Sequence, residues 1–426
     1  MLKIYNLKEL SKSKIEEISS RALTDDKDIE VDVKVILEGV KSDGDEYLKS
    51  CNKRFDNYNG DNLYLELSTL QELASKVSED LQLAIKTAIT NIKKFHQTQL
   101  IKEERIETTK GVVCWRENRA IEKVGLYVPG GSAVLPSTFL MLAIPALIAG
   151  CKDIVVCTPP NDKGLVNPAI AFCAISLGID KIYLAGGAQA IGAMAFGTPS
   201  IPKVYKIFGP GNRYVNFAKS LVQKWTAIDL PAGPSEVLII ADEFANPEFL
   251  AADLLAQAEH GSDSQVVLVS TSSDILDKTN RAIAEQFTNL PRKEIALNAL
   301  KNSYGVLIDR LEDGFSFSNE YAPEHLILAV NNPESYTHLI INAGSVFLGN
   351  YTPESAGDYA SGTNHTLPTA GNAKAYSGVS VDSFLKKITF QKINKEGINN
   401  LGNTIEILAE AEGLQAHKNS VTLRLK

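Results

Sequence analysis

Apolar residues recur at three- and four-residue spacing through the first hundred positions, which is the period of amphipathic helices. The pattern predicts helices over 11–22, 31–49 and 68–99. From Gly111 the period shortens. Val112-Val-Cys-Trp115 and Val124-Gly-Leu-Tyr-Val128 read as strands, the second running into the turn-forming loop Pro129-Gly-Gly-Ser132. Strand and helix patterns then alternate: helix 137–149, strand 153–157, helix 168–177, strand 181–185, helix 188–196, strand 204–208, helix 213–222. A second run of the same kind begins at Val237, with a helix around Gln257, a strand at 264–270, a helix over 274–287 and strands near Val306 and Leu326. Such alternation implies parallel sheets covered by helices, so the fold class is α/β. We read two similar α/β units, a repeat of architecture without fixed-period sequence identity. Beyond Tyr376 the pattern changes again, to an apolar stretch over 381–390 and a helix over 398–412.

A chain of 426 residues suggests roughly two to four compact units. No run of about 18 apolar residues occurs, and the first ten residues lack a signal-peptide core, so no membrane partner and a cytoplasmic address are expected. The five cysteines form no Cys-x-x-Cys pair, which suits idle thiols in a reducing compartment. A net charge of −8 with scattered lysines argues against nucleic acid. Asn350 and Asn364 match the glycosylation acceptor pattern, which carries no weight without a secretory signal.

Chemistry concentrates in a few segments. In Asp253-Leu-Leu-Ala-Gln257-Ala-Glu-His260-Gly261, residues three apart share a helical face, so an amide oxygen and an imidazole can converge on one ion. Gly261 is expected to stop that helix, and capping or surface roles fit the same two residues. Glu324 and His325 follow Pro323 directly before an apolar strand, where an acid and an imidazole can share proton transfer; an ordinary surface pair fits as well. The long loop 351–368 carries Asp358 and His365 among turn-forming residues. Gln257, His260, Asp358 and one further imidazole would form a mixed N/O set suited to Zn²⁺, with Mn²⁺ or Co²⁺ as substitutes. Three glycine-rich loops follow strands: Tyr127-Val-Pro-Gly-Gly131, Ala185-Gly-Gly-Ala-Gln189 and Phe208-Gly-Pro-Gly-Asn-Arg213. They are candidates for holding a nucleotide at carboxyl strand ends, although none matches Gly-x-Gly-x-x-Gly with an acid about twenty positions on. A thiol nucleophile at Cys114 or Cys151 is disfavoured, because neither lies beside a histidine or at a helix N-terminus.

These segments, with Pro231-Ala-Gly-Pro-Ser-Glu236 and Ala416-His417, resemble those of histidinol dehydrogenases, in order along nearly the whole chain. Tyr205 and Gly192 depart from the family pattern outside its polar motifs. The resemblance implies two incomplete Rossmann-like units, with a helical segment over 1–24, a metal-site domain from 25–123 plus 235–375, an NAD-binding domain over 124–234, and an extension over 376–426 that reaches a partner subunit. It implies oxidation of L-histidinol through the aldehyde to L-histidine, the last steps of histidine biosynthesis, with two NAD⁺ reduced in succession. It also implies one Zn²⁺ per subunit, held by Gln257, His260, Asp358 and the partner chain's copy of His417 in an intertwined homodimer. Glu324 and His325 are the implied proton-transfer pair. Ser235, His365 and Glu412 join the pair and the metal ligands around the substrate, Glu412 across the dimer, and Tyr127, Gln189 and Asn212 contact NAD. Two rival classes share some of these features. A zinc hydrolase leaves the glycine-rich loops unexplained, and a noncatalytic NAD-binding protein would not need Glu324, His325 and four ligands together.

Overall fold

The computed structural model describes residues 1–20, 27–100, 103–130, 134–231 and 233–426, so Gly131, Ser132 and Ala232 of the quoted motifs, and the end of the helix expected over 11–22, lie outside the described residues. Two six-stranded sheets carry the fold. The first runs in the order Lys3–Asn6, Tyr304–Leu307, Gln265–Ser270, Glu236–Ala241, His325–Ala329, Ser345–Leu348, all parallel. The second runs Tyr64–Glu66, Lys181–Leu184, Asp153–Thr158, Lys123–Tyr127, Lys206–Phe208, Ala227–Ile228, parallel except for its first strand.

Leaving out the edge strand that the N-terminal region lends to each, both sheets have one topology. The first strand in sequence is central, the next two lie to one side, and the last two to the other. That is the expected pair of incomplete Rossmann-like units, and each has its switch point at the central strand. The central strands Glu236–Ala241 and Lys123–Tyr127 are almost continuously apolar and buried, as strands covered on both faces must be.

Grouping within the chain differs from the expectation. Residues 27–97 pack on the second sheet and not on the first: Val33, Leu37, Leu48 and Leu63 share a core with Tyr127 and Ile191, and Leu65, Leu70, Ile85 and Ile92 share one with Val124 and Leu140. The first residues are not purely helical either, since Lys3–Asn6 forms a strand before the helix Lys12–Ser19. The long helix expected over 68–99 is broken into Leu67–Ala74 and Glu79–Gln97, the second capped by Ser78. Helices Lys293–Lys301, Leu311–Tyr321 and Gln415–Leu425, and the strand Ser345–Leu348, had no counterpart in the sequence reading. In a third, antiparallel sheet the central strand Val112–Ala120 pairs with Leu385–Ile393 along nine residues on one side and with Ile106–Thr109 on the other. Among the described residues no helix is long and apolar enough to cross a membrane.

Candidate active site

The polar cluster lies at the amino edge of the first sheet, opposite to the usual side for a ligand in such a fold. Glu236 and His325 are the first residues of neighbouring central strands, with His325 opposite Val237. The helix Pro247–Ala258 runs back against the strands, so its last turn sets Gln257 over that edge. His260 lies two residues past the helix end, its N–H donating to the Gln257 carbonyl at 3.3 Å, so the helix stops before Gly261 and not at it. Glu354 and Asp358 stand one turn apart on the short helix Glu354–Tyr359.

Gln257 is fully buried. Oriented by its hydrogen-bond partners, its amide donates to the Glu354 carboxylate and accepts the Glu236 N–H at 2.7 Å. The same N–H donates to Glu324 Oε2 at 3.0 Å, so one backbone group aligns both side chains. Glu236 is itself anchored, its carboxylate accepting from Ala370 N–H at 2.8 Å and Tyr321 O–H at 3.3 Å.

His325 is buried, and its Nδ1 lies 3.1 Å from the Glu236 carbonyl. A carbonyl only accepts, so Nδ1 carries the proton and Nε2 keeps a lone pair. That Nε2 has no hydrogen-bond partner among the described residues and sits 3.7 Å from Asp358 Oδ1. Burial drives the His325 pKa down to about 3, the Glu236 bond opposes, and the His260 and His365 rings add to the fall. Around it the carboxyls shift the other way. Burial raises Asp358 to about 7, and burial with Asp358, Glu324 and Asp253 nearby raises Glu354 well above its ordinary value.

Ligand atoms of His260, Glu354 and Asp358 all lie within 4.8 Å of one another. His260 stands open at the rim, and the protein around it still lowers its pKa through burial. This donor set fits a divalent cation: crowded buried carboxyls lack a positive charge, the Gln257 oxygen keeps a second lone pair, and an imidazole nitrogen completes an N/O set. His417 and Glu412 do not join the group; both are exposed on the C-terminal helical pair Lys395–Ala411 and Gln415–Leu425.

The long loop after Asp358 lies across the other unit. Asn91 donates to the Ala360 carbonyl at 2.9 Å, and Asn364 donates to the Met141 carbonyl at 2.6 Å. His365 Nδ1 lies 2.9 Å from the Asp358 carbonyl and its Nε2 lies 3.0 Å from Thr138 Oγ1, so both ring nitrogens are engaged, the second by the helix Pro136–Ala149. Burial lowers this ring to about 4, which keeps it neutral. Ser235 is half-buried beside Glu236 at the same edge.

The glycine-rich loops lie at the carboxyl edge of the second sheet, as expected. Tyr127 ends the central strand, is buried, and its hydroxyl accepts the Gly187 N–H at 3.0 Å. Gly187 opens the helix Gly187–Phe196 in a left-handed conformation (φ +57°), and buried Gln189 folds back over it. Asn212 caps the helix Arg213–Val222 by accepting Val215 N–H at 3.2 Å. Two helix N-termini thus face the crevice above the switch point, a ready seat for a pyrophosphate.

Comparison with known proteins agrees with this arrangement. The family model for histidinol dehydrogenase matches residues 19–425. The chain belongs to the histidinol dehydrogenase family. A histidinol dehydrogenase from Bacteroides fragilis is 51% identical, with 97% of each chain covered, and the chloroplastic histidinol dehydrogenase of Arabidopsis thaliana is 52% identical over 100% of this chain and 92% of its own. A crystal structure of histidinol dehydrogenase from Elizabethkingia anophelis superposes with a TM-score of 0.96 at 53% identity, covering 100% of this chain and 98% of that one. Membership of the histidinol dehydrogenase family makes this chain an oxidoreductase of α/β fold.

Sequence reasoning placed Asp253 one turn before the Gln257/His260 face and missed Glu354 and Glu236 as parts of the charge cluster. Glu354 stands four residues before Asp358, a helical spacing that could have found it.

Proposed function

We propose that this chain oxidises L-histidinol to L-histidine through the enclosed aldehyde, reducing NAD⁺ twice, in histidine biosynthesis. The carrying observation is the His325 ring, which presents an unprotonated Nε2, without a hydrogen-bond partner among the described residues, inside a buried carboxyl cluster. As hydride leaves the carbinol carbon, the hydroxyl proton needs an acceptor, and this Nε2 is the lone pair positioned to take it. Glu324, aligned by the Glu236 N–H, activates the water that adds to the aldehyde. His325, once it has released the first proton to solvent, takes the proton of the hydrate as the second hydride departs to a second NAD⁺. Closure of the site keeps the aldehyde from solvent.

Gln257, His260 and Asp358, with His417 of a second subunit, would hold Zn²⁺, which when bound supplies a positive charge that orients the substrate and polarises its oxygen. The exposed position of His417, apart from the other three, is what supports its supply by a partner subunit in a homodimer. Glu412, exposed at the end of the same helical pair, is assigned to the partner's substrate, and Ser235 and His365 to the substrate of their own chain. Tyr127, Gln189 and Asn212 line the NAD seat. We propose 124–234 with the packed 27–97 region as the NAD-binding unit, 235–375 as the metal-site unit, 376–426 as the exchanged extension, and the cytoplasm as the address.

The test is NADH formation from L-histidinol and NAD⁺ with and without prior chelation. Two NADH per histidine, abolished by the chelator and restored by zinc, are expected. A folded, zinc-loaded protein that reduces no NAD⁺ with histidinol overturns the assignment.

A further inference from the structure

We propose that the buried pair Lys219–Asp229 is a positioning device for the cofactor loop 209–212, an inference that rests on the NAD assignment above. The loop follows the strand Lys206–Phe208 and opens the helix Arg213–Val222, after which the strand Ala227–Ile228 ends just before Asp229. In the usual dinucleotide fold an acid about twenty residues beyond the first glycine, at the end of the second strand, binds the ribose hydroxyls. Asp229 stands at that place, 20 residues after Gly209, yet its side chain is only 1% exposed and faces inward.

Its oxygens are already engaged. Oδ2 accepts the Gly209 N–H at 2.8 Å, and Oδ1 accepts the Leu230 N–H at 2.7 Å and the Lys219 ammonium. The Lys219 side chain, 2% exposed, donates in turn to the Gly209 carbonyl at 3.0 Å. One ion pair therefore fixes both polar groups of a single glycine. That glycine cannot be exchanged, since it has φ +126° and a Cβ there would lie 2.1 Å from the Tyr127 carbonyl oxygen. Gly209 touches Tyr127 on one side and leads to Asn212 on the other, so the clamp sets the spacing between two cofactor-contacting positions.

A buried ion pair contributes little net stability compared with apolar residues of similar volume, because desolvation offsets the Coulomb attraction. What it supplies is direction. Two bonds of fixed geometry hold Gly209, and two more lock the pair in place, where the loop Gly209-Pro210-Gly211 has no polar side chain of its own. The acid that would otherwise read the ribose has become the support of the loop that meets the pyrophosphate.

The test compares wild type with the double variant Lys219→Met/Asp229→Leu, which removes both charges together, and with Asp229→Asn, which keeps an acceptor for Gly209. Direct NADH binding by fluorescence, KM for NAD⁺, KM for histidinol and zinc content are measured in the dimer. We expect NADH affinity to fall and KM for NAD⁺ to rise on the order of tenfold in the double variant, less in Asp229→Asn, with KM for histidinol and zinc content unchanged. A purely structural role lowers the melting temperature and leaves the ratio of the two KM values where it was; that result overturns the inference while the NAD assignment stands. Should the double variant fail to fold, an NADH affinity in Asp229→Asn equal to wild type overturns it too. Wild type that neither binds NADH nor reduces NAD⁺ overturns the cofactor assignment and the clamp together.

Discussion

At the scale of single residues, the site works by dividing one backbone unit among its neighbours. The Glu236 N–H aligns Gln257 and Glu324, and its carbonyl fixes the His325 tautomer. His325→Asn should therefore retain fold and metal, since asparagine can still donate to that carbonyl, and lose turnover by about 10²–10⁴-fold. Steady-state rates at equal zinc content check this. Glu324→Gln should slow the aldehyde step more than the alcohol step, because only the former needs an activated water; equal loss when histidinol and histidinaldehyde are supplied separately would remove that role. Gln257, His260, Glu324, His325 and Asp358 were legible because their spacing or adjacency sits beside a turn or strand start. Glu236 was not, since nothing in Pro-Ser-Glu-Val marks the carbonyl beneath a buried imidazole.

At the scale of elements, the short helix Glu354–Tyr359 sets two acidic groups toward one imidazole and one amide. With no cation bound, burial holds Asp358 at about 7, against about 4 for an ordinary aspartate. The sign follows directly. Below about 7 the folded, metal-free protein keeps this proton, and a cation must displace it; above about 7 the carboxylate is already free. Zinc affinity should therefore rise with pH through about 7 and level off above it, by roughly tenfold per pH unit at most if one proton is released. Competition against a chelator at pH 6 and pH 8 measures it. Glu354→Gln should weaken zinc about 10–100-fold while sparing NADH binding, because it disturbs the partner of Gln257 and not the cofactor loops. Unchanged zinc affinity would mean that Glu354 does not orient Gln257. The alternating strands and helices of both units were legible from period alone, as were the glycine-rich turns. The helix breaks at 75–78 and at Ala258, and the helices Lys293–Lys301 and Leu311–Tyr321, were not, because caps and tertiary contacts decide them over local apolar period.

At the scale of the whole molecule, the carboxyl–imidazole cluster lies at the amino edge of one sheet and the glycine-rich loops at the carboxyl edge of the other, joined through His365 and Thr138. The sequence marked both loop sets. It did not mark that residues 27–97 belong with the second sheet, since amphipathic helices show which face is buried and not against what. The assignment of His417 to a partner subunit is tested by mixing. His325→Asn and His417→Asn chains, each inactive alone, should on random reassociation regain about a quarter of wild-type activity, because half of the dimers are mixed and each of those holds one intact site. No recovery after verified subunit exchange would place His417 in its own chain's site.

The edge strand Lys3–Asn6 carries a cost in time. It pairs with Tyr304–Leu307, about three hundred residues later, whereas the second sheet closes once Ala227–Ile228 has appeared. At a synthesis rate of about 5–20 residues per second, the first residues wait roughly fifteen seconds to a minute for their partner. The nascent chain thus carries a formed cofactor unit and an unpaired leading strand together, and the long-range pairing that completes the metal-side sheet is a late event of folding. A ribosome stalled far enough beyond Ile228 for that strand to have left the exit tunnel, yet before Tyr304, should present a protease-resistant second-sheet unit behind a still-cleavable N-terminus.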